Sequence, residues 1–323
     1  DNFLLSSEVN YMIIQNITDM IGNTPLLKIN DKINYYAKIE GSNLFGSVKD
    51  RAAKYLMENA YSDGVIKKDT IIIESSSGNF GIALAGMCKI KGNSFICVVD
   101  PNVTASNKKI IELLGAEVIV ASKVDKNGNY IQDRINIVKE YVSDHKNAYW
   151  TNQYGNEYVW KAYFSLGEEL CNEMEKIDYL FVAVSTCGTL AGTSKKIKEK
   201  FPDCKIIAVD IVGSQIFEKS NQKKHISGIG TSLTPQNLIH AKFDDYMIVE
   251  EIEAISECNK LLKKGIIVGA SSGAVAYAIQ KYTGYSKCLE STKIVGIFPD
   301  RGERYLDTIY NNEWCDKIST RSF

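Results

Sequence analysis

Short β-branched runs alternate with longer stretches of helical periodicity along most of the chain. Tyr35 to Glu40, Thr70 to Glu74, Ser94 to Val99 and Ala116 to Ala121 read as strands. Arg51 to about Asn59, Gly78 to Lys91, Ala105 to Leu114 and Tyr130 to Val142 read as helices, with Gly115 stopping the third and Asn127-Gly128 marking a turn before the fourth. Apolar strands separated by helices predict a parallel sheet covered on both faces. From Tyr149 to Tyr158 aromatic and amide residues take over, which reads as the return to a second unit. There Tyr179 to Val184, Lys205 to Asp210, Ile266 to Val268 and Lys293 to Phe298 are expected strands. A turn from Ser185 to Gly192 leads into a helix carrying Ser194 to Lys200. Gly213 to Thr234 is expected as loop, Glu250 to Lys264 as an amphipathic helix, and Gly269 to Gly273 as a turn into another helix. The fold class is therefore α/β, with two domains that each hold a mainly parallel twisted sheet flanked by helices. Residues 46–149 are the expected smaller, mobile domain, and 12–45 plus 150–323 the larger one. Residues 1–11 read as a frayed or extraneous tail, with Met12 a candidate start.

Composition narrows the function by exclusion. A chain of 323 residues with net charge −1 offers no electrostatic case for nucleic acid or an anionic membrane. No apolar run is long enough to span a bilayer, and the first residues lack a basic start and an apolar core of a signal peptide. The eight cysteines (Cys88, Cys97, Cys171, Cys187, Cys204, Cys258, Cys288 and Cys315) contain no CxxC pair and are joined by only three histidines, so no metal site is expected. Dispersed thiols in a chain this long fit a reduced, cytoplasmic setting.

Gly46-Ser47-Val48-Lys49-Asp50-Arg51 joins an expected strand to an expected helix. A lysine ammonium at a helix mouth meets the positive end of the macrodipole. Either water solvates it, as at an ordinary surface position, or the amine is not an ammonium and is bonded to a cofactor aldehyde. Four small-residue turns also stand between strand and helix: Ser75 to Asn79, Ser185 to Thr189, Gly269 to Gly273 and Pro299 to Gly302. Turns of this kind present backbone N–H groups to anions at the carboxyl ends of strands. Two of them rich in hydroxyls suit a phosphate and a carboxylate. None follows the dinucleotide or P-loop pattern.

Taken together, Gly22-Asn23-Thr24-Pro25-Leu26, Gly46 to Arg51, Ser76-Ser77-Gly78-Asn79, Gly188-Thr189, Gly228-Ile229-Gly230, Ser271-Ser272-Gly273 and Pro299 to Tyr305 resemble, in order, the signatures of the cysteine synthase family. These are fold-type II pyridoxal 5′-phosphate enzymes, homodimers acting on small amino acids, that replace a group at Cβ of a serine derivative through an aminoacrylate. The resemblance implies that Lys49 carries the cofactor and acts as base. It places Asn79 at the cofactor's 3′ oxygen, Ser185, Thr186, Cys187, Gly188 and Thr189 around its phosphate, and Ser271 at its ring nitrogen. Ser76, Ser77, Gly78 and Gln153 would hold the substrate carboxylate, with Gly228 beside the substrate amine. A neutral hydroxyl at the ring nitrogen makes a moderate electron sink, suited to β-elimination. Blander readings stand beside these. Asn79, Ser271 and Ser272 can be helix caps. Cys187, where the family carries glycine, is a packing substitution or a redox thiol.

Departures from the family pattern point to one of its branches. Tyr130 to Arg134, Tyr154, Glu157 and Ser185 stand where cysteine synthases carry other residues. An arginine and a phenol lining an active-site wall suit an anion, such as a phosphate leaving group or a second amino acid. The resemblance then implies that Arg134, Tyr154 and Ser185 bind O-phospho-L-serine, which is joined to L-glutamate on the way to 2,3-diaminopropionate for siderophores. In the bland alternative, Arg134 is a solvated helix residue paired with Glu140 or Asp133. A cysteine synthase or a cysteine-consuming, sulfide-releasing enzyme is the nearest rival function, and a non-catalytic binding protein on the same scaffold the rival of another class.

Overall fold

The computed structural model describes residues 13–30, 33–125, 128–218, 222–284 and 291–319. The expected tail, Asn127 and Cys288 lie outside them. Ten strands are formed among the described residues: Leu26–Asn30 (β1), Asn34–Ile39 (β2), Ile71–Ser75 (β3), Phe95–Val99 (β4), Glu117–Val120 (β5), Ala148–Trp150 (β6), Tyr179–Ala183 (β7), Lys205–Ile211 (β8), Asp245–Val249 (β9) and Lys293–Phe298 (β10). The α-helices are Lys49–Ser62 (α1), Asn79–Lys91 (α2), Ala105–Leu113 (α3), Ile131–Asp144 (α4), Glu157–Lys161 (α5), Phe164–Glu173 (α6), Gly188–Lys200 (α7), Glu251–Leu262 (α8), Ala270–Thr283 (α9) and Asn312–Ser319 (α10). None is long and apolar enough to cross a membrane.

Two sheets result. One has the order β5-β4-β3-β6 and is parallel throughout; the other has the order β1-β2-β10-β7-β8-β9 and is parallel except for its β1–β2 edge. Strands near the middle of each sheet are buried on both faces, which is why β4 and β7 read as continuous apolar runs. The edge strands β1, β5 and β9 are half exposed, which is why β1 and β9 lack a clear apolar signature.

Several boundaries differ from expectation. Tyr149 and Trp150 close the four-stranded sheet as β6, paired with β3. Ile266 to Val268 is no strand: between Gly265 and Gly269 it makes a single bridge, Val268 to Arg301. The turn expected to reach Gly192 ends at Cys187, so Gly188 and Thr189 already belong to α7. Helix α1 begins at Lys49 rather than Arg51, because the Ser47 hydroxyl accepts from Lys49 N–H (3.3 Å) and starts the first turn early.

The start of α1 is anchored by a buried ionic network. Arg51 donates from Nε and Nη2 to Glu40 (2.7 and 2.8 Å), and from Nη1 and Nη2 to Glu169 (2.6 and 2.8 Å). Thr24 donates to Glu40 (2.6 Å), and Lys38, itself fully buried, pairs with Glu169 and Glu173. Burial alone would raise the Glu169 carboxyl, yet the Arg51 contacts hold it down at about 2. The network ties α1 to the end of β2 and to α6, so the residue at the mouth of α1 has a fixed base.

Candidate active site

Lys49 opens α1 within a turn that a distant segment holds in place. Val48 N–H donates to the Pro299 carbonyl (2.7 Å) and Arg301 N–H to the Gly46 carbonyl (3.2 Å), so the residues after β10 clasp the lysine turn from outside. Asp50 holds it from within by accepting from Phe45 N–H (2.6 Å) and the Ser47 hydroxyl (3.1 Å). Lys49 Nζ donates to Thr186 Oγ1 at 3.3 Å. Burial lowers the amine to about 8, a shift partly opposed by nearby Cys187 and Asp300. Only a neutral amine can attack an aldehyde. Capture of an aldehyde cofactor by the cofactor-free protein should therefore speed up as pH rises, with a midpoint near pH 8, and level off about one unit above it. Stopped-flow absorbance of cofactor uptake across that range is the check. A profile still rising at pH 10, where an ordinary lysine titrates, would contradict the assignment.

Thr186 belongs to the turn between β7 and α7. The first turn of α7 is buried, and Cys187 at its N-cap makes no side-chain capping bond. A buried helix N-terminus without a cap leaves several N–H groups unsatisfied, and its dipole favours an anion. Thr186 and Thr189 add hydroxyls, while Ser185 Oγ donates to the Gly230 carbonyl (3.1 Å), tying the turn to the Gly228-Ile229-Gly230 loop. The cradle thus suits a phosphate beside the Lys49 amine. Cys187 adopts φ +60, the left-handed region natural to glycine. Burial pushes its thiol up to about 12, so it stays protonated, which argues against a redox role.

Asn79 and Ser271 converge on Asp300. Asn79 Nδ2 donates to Asp300 Oδ2 (2.6 Å), Ser271 Oγ donates to Asp300 Oδ1 (3.4 Å), and the Tyr305 hydroxyl also donates to Oδ2. Arg304 donates to Asn79 Oδ1 and to the Phe45 carbonyl. Neither Asn79 nor Ser271 caps its helix. The N-cap of α9 is Gly269, where a Cβ would lie 2.1 Å from Asp300 Oδ1, so only glycine leaves room for that carboxylate. Ser272 Oγ is buried with no partner among the described residues. Burial raises the Asp300 carboxyl, opposed by the hydrogen bonds from Tyr305 and Asn79.

A second cluster faces this one across the start of α2. Glu74, fully buried at the end of β3, accepts from Ser75 N–H (2.8 Å), Trp150 Nε1 (3.3 Å), Thr151 Oγ1 (2.5 Å) and Gln153 N–H (3.1 Å). It thereby pins Gln153 against the Ser75-Ser76-Ser77 turn, where Gln153 Nε2 donates to the Ser75 carbonyl (3.0 Å). Ser76 Oγ accepts from Gly81 N–H (3.0 Å), and Gly78 is the N-cap of α2. Arg134 reaches over from α4, and its Nη1 donates to Ser77 Oγ (3.2 Å). It pairs with neither Glu140 nor Asp133, whose carboxylate instead accepts from the backbone of Ser122 and Lys123. Tyr154 is half-buried, and burial raises its phenol, with Thr231 alongside and the Arg134 charge nearby. Asn237 joins the two clusters: its Nδ2 donates to the carbonyls of Gln153 (2.9 Å) and Thr186 (3.0 Å).

The residues singled out from the sequence thus gather in two adjoining groups, Lys49 with Asn79, Ser185 to Thr189 and Ser271, and Ser76 to Gly78 with Gln153, Arg134 and Tyr154. Gly228 lies by the first group, where an added Cβ would lie 3.0 Å from the Tyr305 hydroxyl. Glu74, Asn237, Asp300 and Arg304 were not singled out. Asp300 and Arg304 fall within Pro299 to Tyr305, but Glu74 ends an apolar run and Asn237 lies in a stretch with no periodic signal.

Residues 17–300 match the family described as pyridoxal-phosphate dependent enzyme. The chain is 39% identical over 316 residues to the N-(2-amino-2-carboxyethyl)-L-glutamate synthase of Ralstonia nicotianae, covering 95% of this chain and 93% of that protein. Among solved structures, the O-acetylserine dependent cystathionine β-synthase of Helicobacter pylori has a TM-score of 0.86 at 32% identity, covering 93% of this chain and 100% of that one. A hydrogen sulfide-producing enzyme of Fusobacterium nucleatum has a TM-score of 0.82 at 32% identity, covering 91% and 100%. With a half-buried lysine beside an uncapped, buried helix N-terminus and likeness along nearly its whole length, the chain belongs to the pyridoxal-phosphate-dependent enzymes of fold type II.

Proposed function

We propose that this enzyme joins O-phospho-L-serine to L-glutamate, releasing phosphate and forming N-(2-amino-2-carboxyethyl)-L-glutamate. The observation that carries the reading is Arg134, whose guanidinium is held on Ser77, at the turn that would grip the substrate carboxylate. An acetate or sulfide leaving group has little use for a largely buried cation at that place; a phosphate does. The 39% identity to the Ralstonia synthase supports the same choice.

When bound, pyridoxal phosphate supplies an aldehyde for the substrate amine and a ring that draws electrons from Cα. The chain's own residues supply the rest. The N-terminus of α7, with Thr186 and Thr189, would hold the cofactor phosphate, and Asn79 and Ser271 would address its ring. Ser76, Ser77 and the N–H groups after Gly78 hold the substrate carboxylate, with Gln153 beside them. Lys49 Nζ takes the proton from Cα, and Arg134 stabilises the departing phosphate, with Tyr154 and Ser185 completing that side. After the α-amine of glutamate has bonded to Cβ, Lys49 returns a proton to Cα.

The test supplies O-phospho-L-serine, O-acetyl-L-serine or L-cysteine, each with L-glutamate, and follows phosphate, acetate, sulfide and product mass. Phosphate release coupled to the glutamate adduct is the expected result. In Arg134→Gln the preference for O-phospho-L-serine over O-acetyl-L-serine, as a ratio of kcat/KM, should fall by roughly 10- to 100-fold, the scale of a lost charge-assisted contact. Sulfide release from cysteine without use of O-phospho-L-serine would instead identify a cysteine-consuming enzyme; the Fusobacterium neighbour is a hydrogen sulfide-producing enzyme.

A further inference from the structure

Arg134 is held by one nitrogen only. Nη1 donates to Ser77 Oγ (3.2 Å) and lies 2.9 Å from Asp100 Oδ2, with the two charged side chains 11% and 14% exposed. Nε is buried and has no acceptor among the described residues, and Nη2 makes no hydrogen bond to any of them. A guanidinium fixed through Nη1 leaves its Nε–Nη2 edge as a pair of parallel donors, the geometry that grips two oxygens of one anion. A buried donor such as Nε is costly to leave unsatisfied, and an arriving anion relieves that cost.

Asp100 is itself immobilised. It follows the last residue of β4, and its Oδ1 accepts from Asn102 N–H (3.0 Å), so one oxygen is spent on the turn and the other faces Arg134. The carboxylate thus approaches the guanidinium at Nη1, and no hydrogen bond from Nε or Nη2 to Asp100 is formed among the described residues. A shorter or freely rotating partner would let Arg134 turn and present a single nitrogen.

From this we propose that Asp100 is a positioning residue that decides which edge of Arg134 faces the substrate, and so makes the site selective for a leaving group with several anionic oxygens. The inference rests on the reading of Arg134 as the phosphate-binding residue. Asp100 never touches the reacting atoms; it acts through the arginine. Neutral or singly charged leaving groups gain nothing from a two-pronged donor, and are indifferent to Asp100.

The experiment compares wild type, Asp100→Asn and Asp100→Glu, each loaded with cofactor, on O-phospho-L-serine and O-acetyl-L-serine at fixed L-glutamate. Asp100→Asn should lower the phosphoserine-to-acetylserine ratio of kcat/KM by roughly 10-fold, about one charge-assisted hydrogen bond, through KM more than kcat. Asp100→Glu, which keeps the charge, should recover part of the ratio. A second measurement removes dependence on how well a single variant folds: in an Arg134→Lys background, where no fork exists to aim, adding Asp100→Asn should leave the ratio where Arg134→Lys put it. Equal losses on both substrates would reduce Asp100 to a structural residue, and a raised ratio would make it a competitor of phosphate; either result overturns the inference. If wild type releases no phosphate from O-phospho-L-serine, the proposed function falls and the inference with it. If wild type does so while Asp100→Asn leaves the ratio unaltered, only the inference falls.

Discussion

Lys49→Ala protein should purify folded but colourless after dialysis, with turnover reduced by roughly 10⁴-fold or more, because one side chain provides both the cofactor anchor and the proton carrier at Cα. Absorbance of the dialysed protein and steady-state assays read the two losses separately. Retention of more than about one per cent of the wild-type rate would remove Lys49 from the chemistry. A third readout is independent of the cofactor. In the folded chain Lys49 titrates near 8, and once unfolded it returns to the ordinary lysine value near 10.5. Between those values the unfolded chain binds the extra proton, so stability of the cofactor-free wild type rises with pH across this window. Lys49→Ala should lack that rise. Denaturant midpoints near pH 8 and pH 10 compare the two proteins directly.

Arg51→Met is the substitution with the largest expected effect on stability, a loss of about 3–5 kcal/mol. Methionine replaces much of the volume but leaves Glu40 fully buried without its ionic partner, and strips from Glu169 the contacts that keep it ionised. The remaining Lys38 pairs with Glu169 and does not reach Glu40 by any ion pair formed among the described residues. Chemical denaturation should show the midpoint falling with little change in slope. A loss under about 1 kcal/mol would mean that water or a rearranged Lys38 takes over the charge of Glu40. Because the same guanidinium seats the first turn of α1, surviving Arg51→Met protein should also take up cofactor more slowly than wild type.

Much of the fold was legible where burial is two-sided. The runs at β3, β4, β7 and β10 announce themselves because parallel strands covered on both faces must be apolar along their length. The edge strands β1 and β9 were not, since they alternate poorly and owe their existence to neighbours contributed by remote segments. The short α5 and α6 hid behind an aromatic stretch whose side chains pack rather than follow a period. In the site, Lys49 and the turns at Ser76 and Ser271 stood out because small residues in sequence produce exposed N–H groups. The carboxylates that hold these pieces did not. Glu74 gathers four donors and Asp300 three, but nothing local distinguishes a buried acid from a solvated one until the donors are brought to it by the rest of the chain.

The clasp on the lysine turn also orders events during synthesis. Arg304 and the Phe45 carbonyl it holds are 259 positions apart, and Asn79 and Asp300 are 221 apart. A ribosome that has released the first three quarters of the chain has delivered Lys49, the cup at α7 and the whole four-stranded sheet, yet neither β10 nor the turn that pins the lysine. Contacts of such long separation form late, after the loops they close have been ordered. The amine is thus left loosely placed in the nascent chain, and the aldehyde finds its reactive partner in position only after Pro299 to Arg304 have emerged.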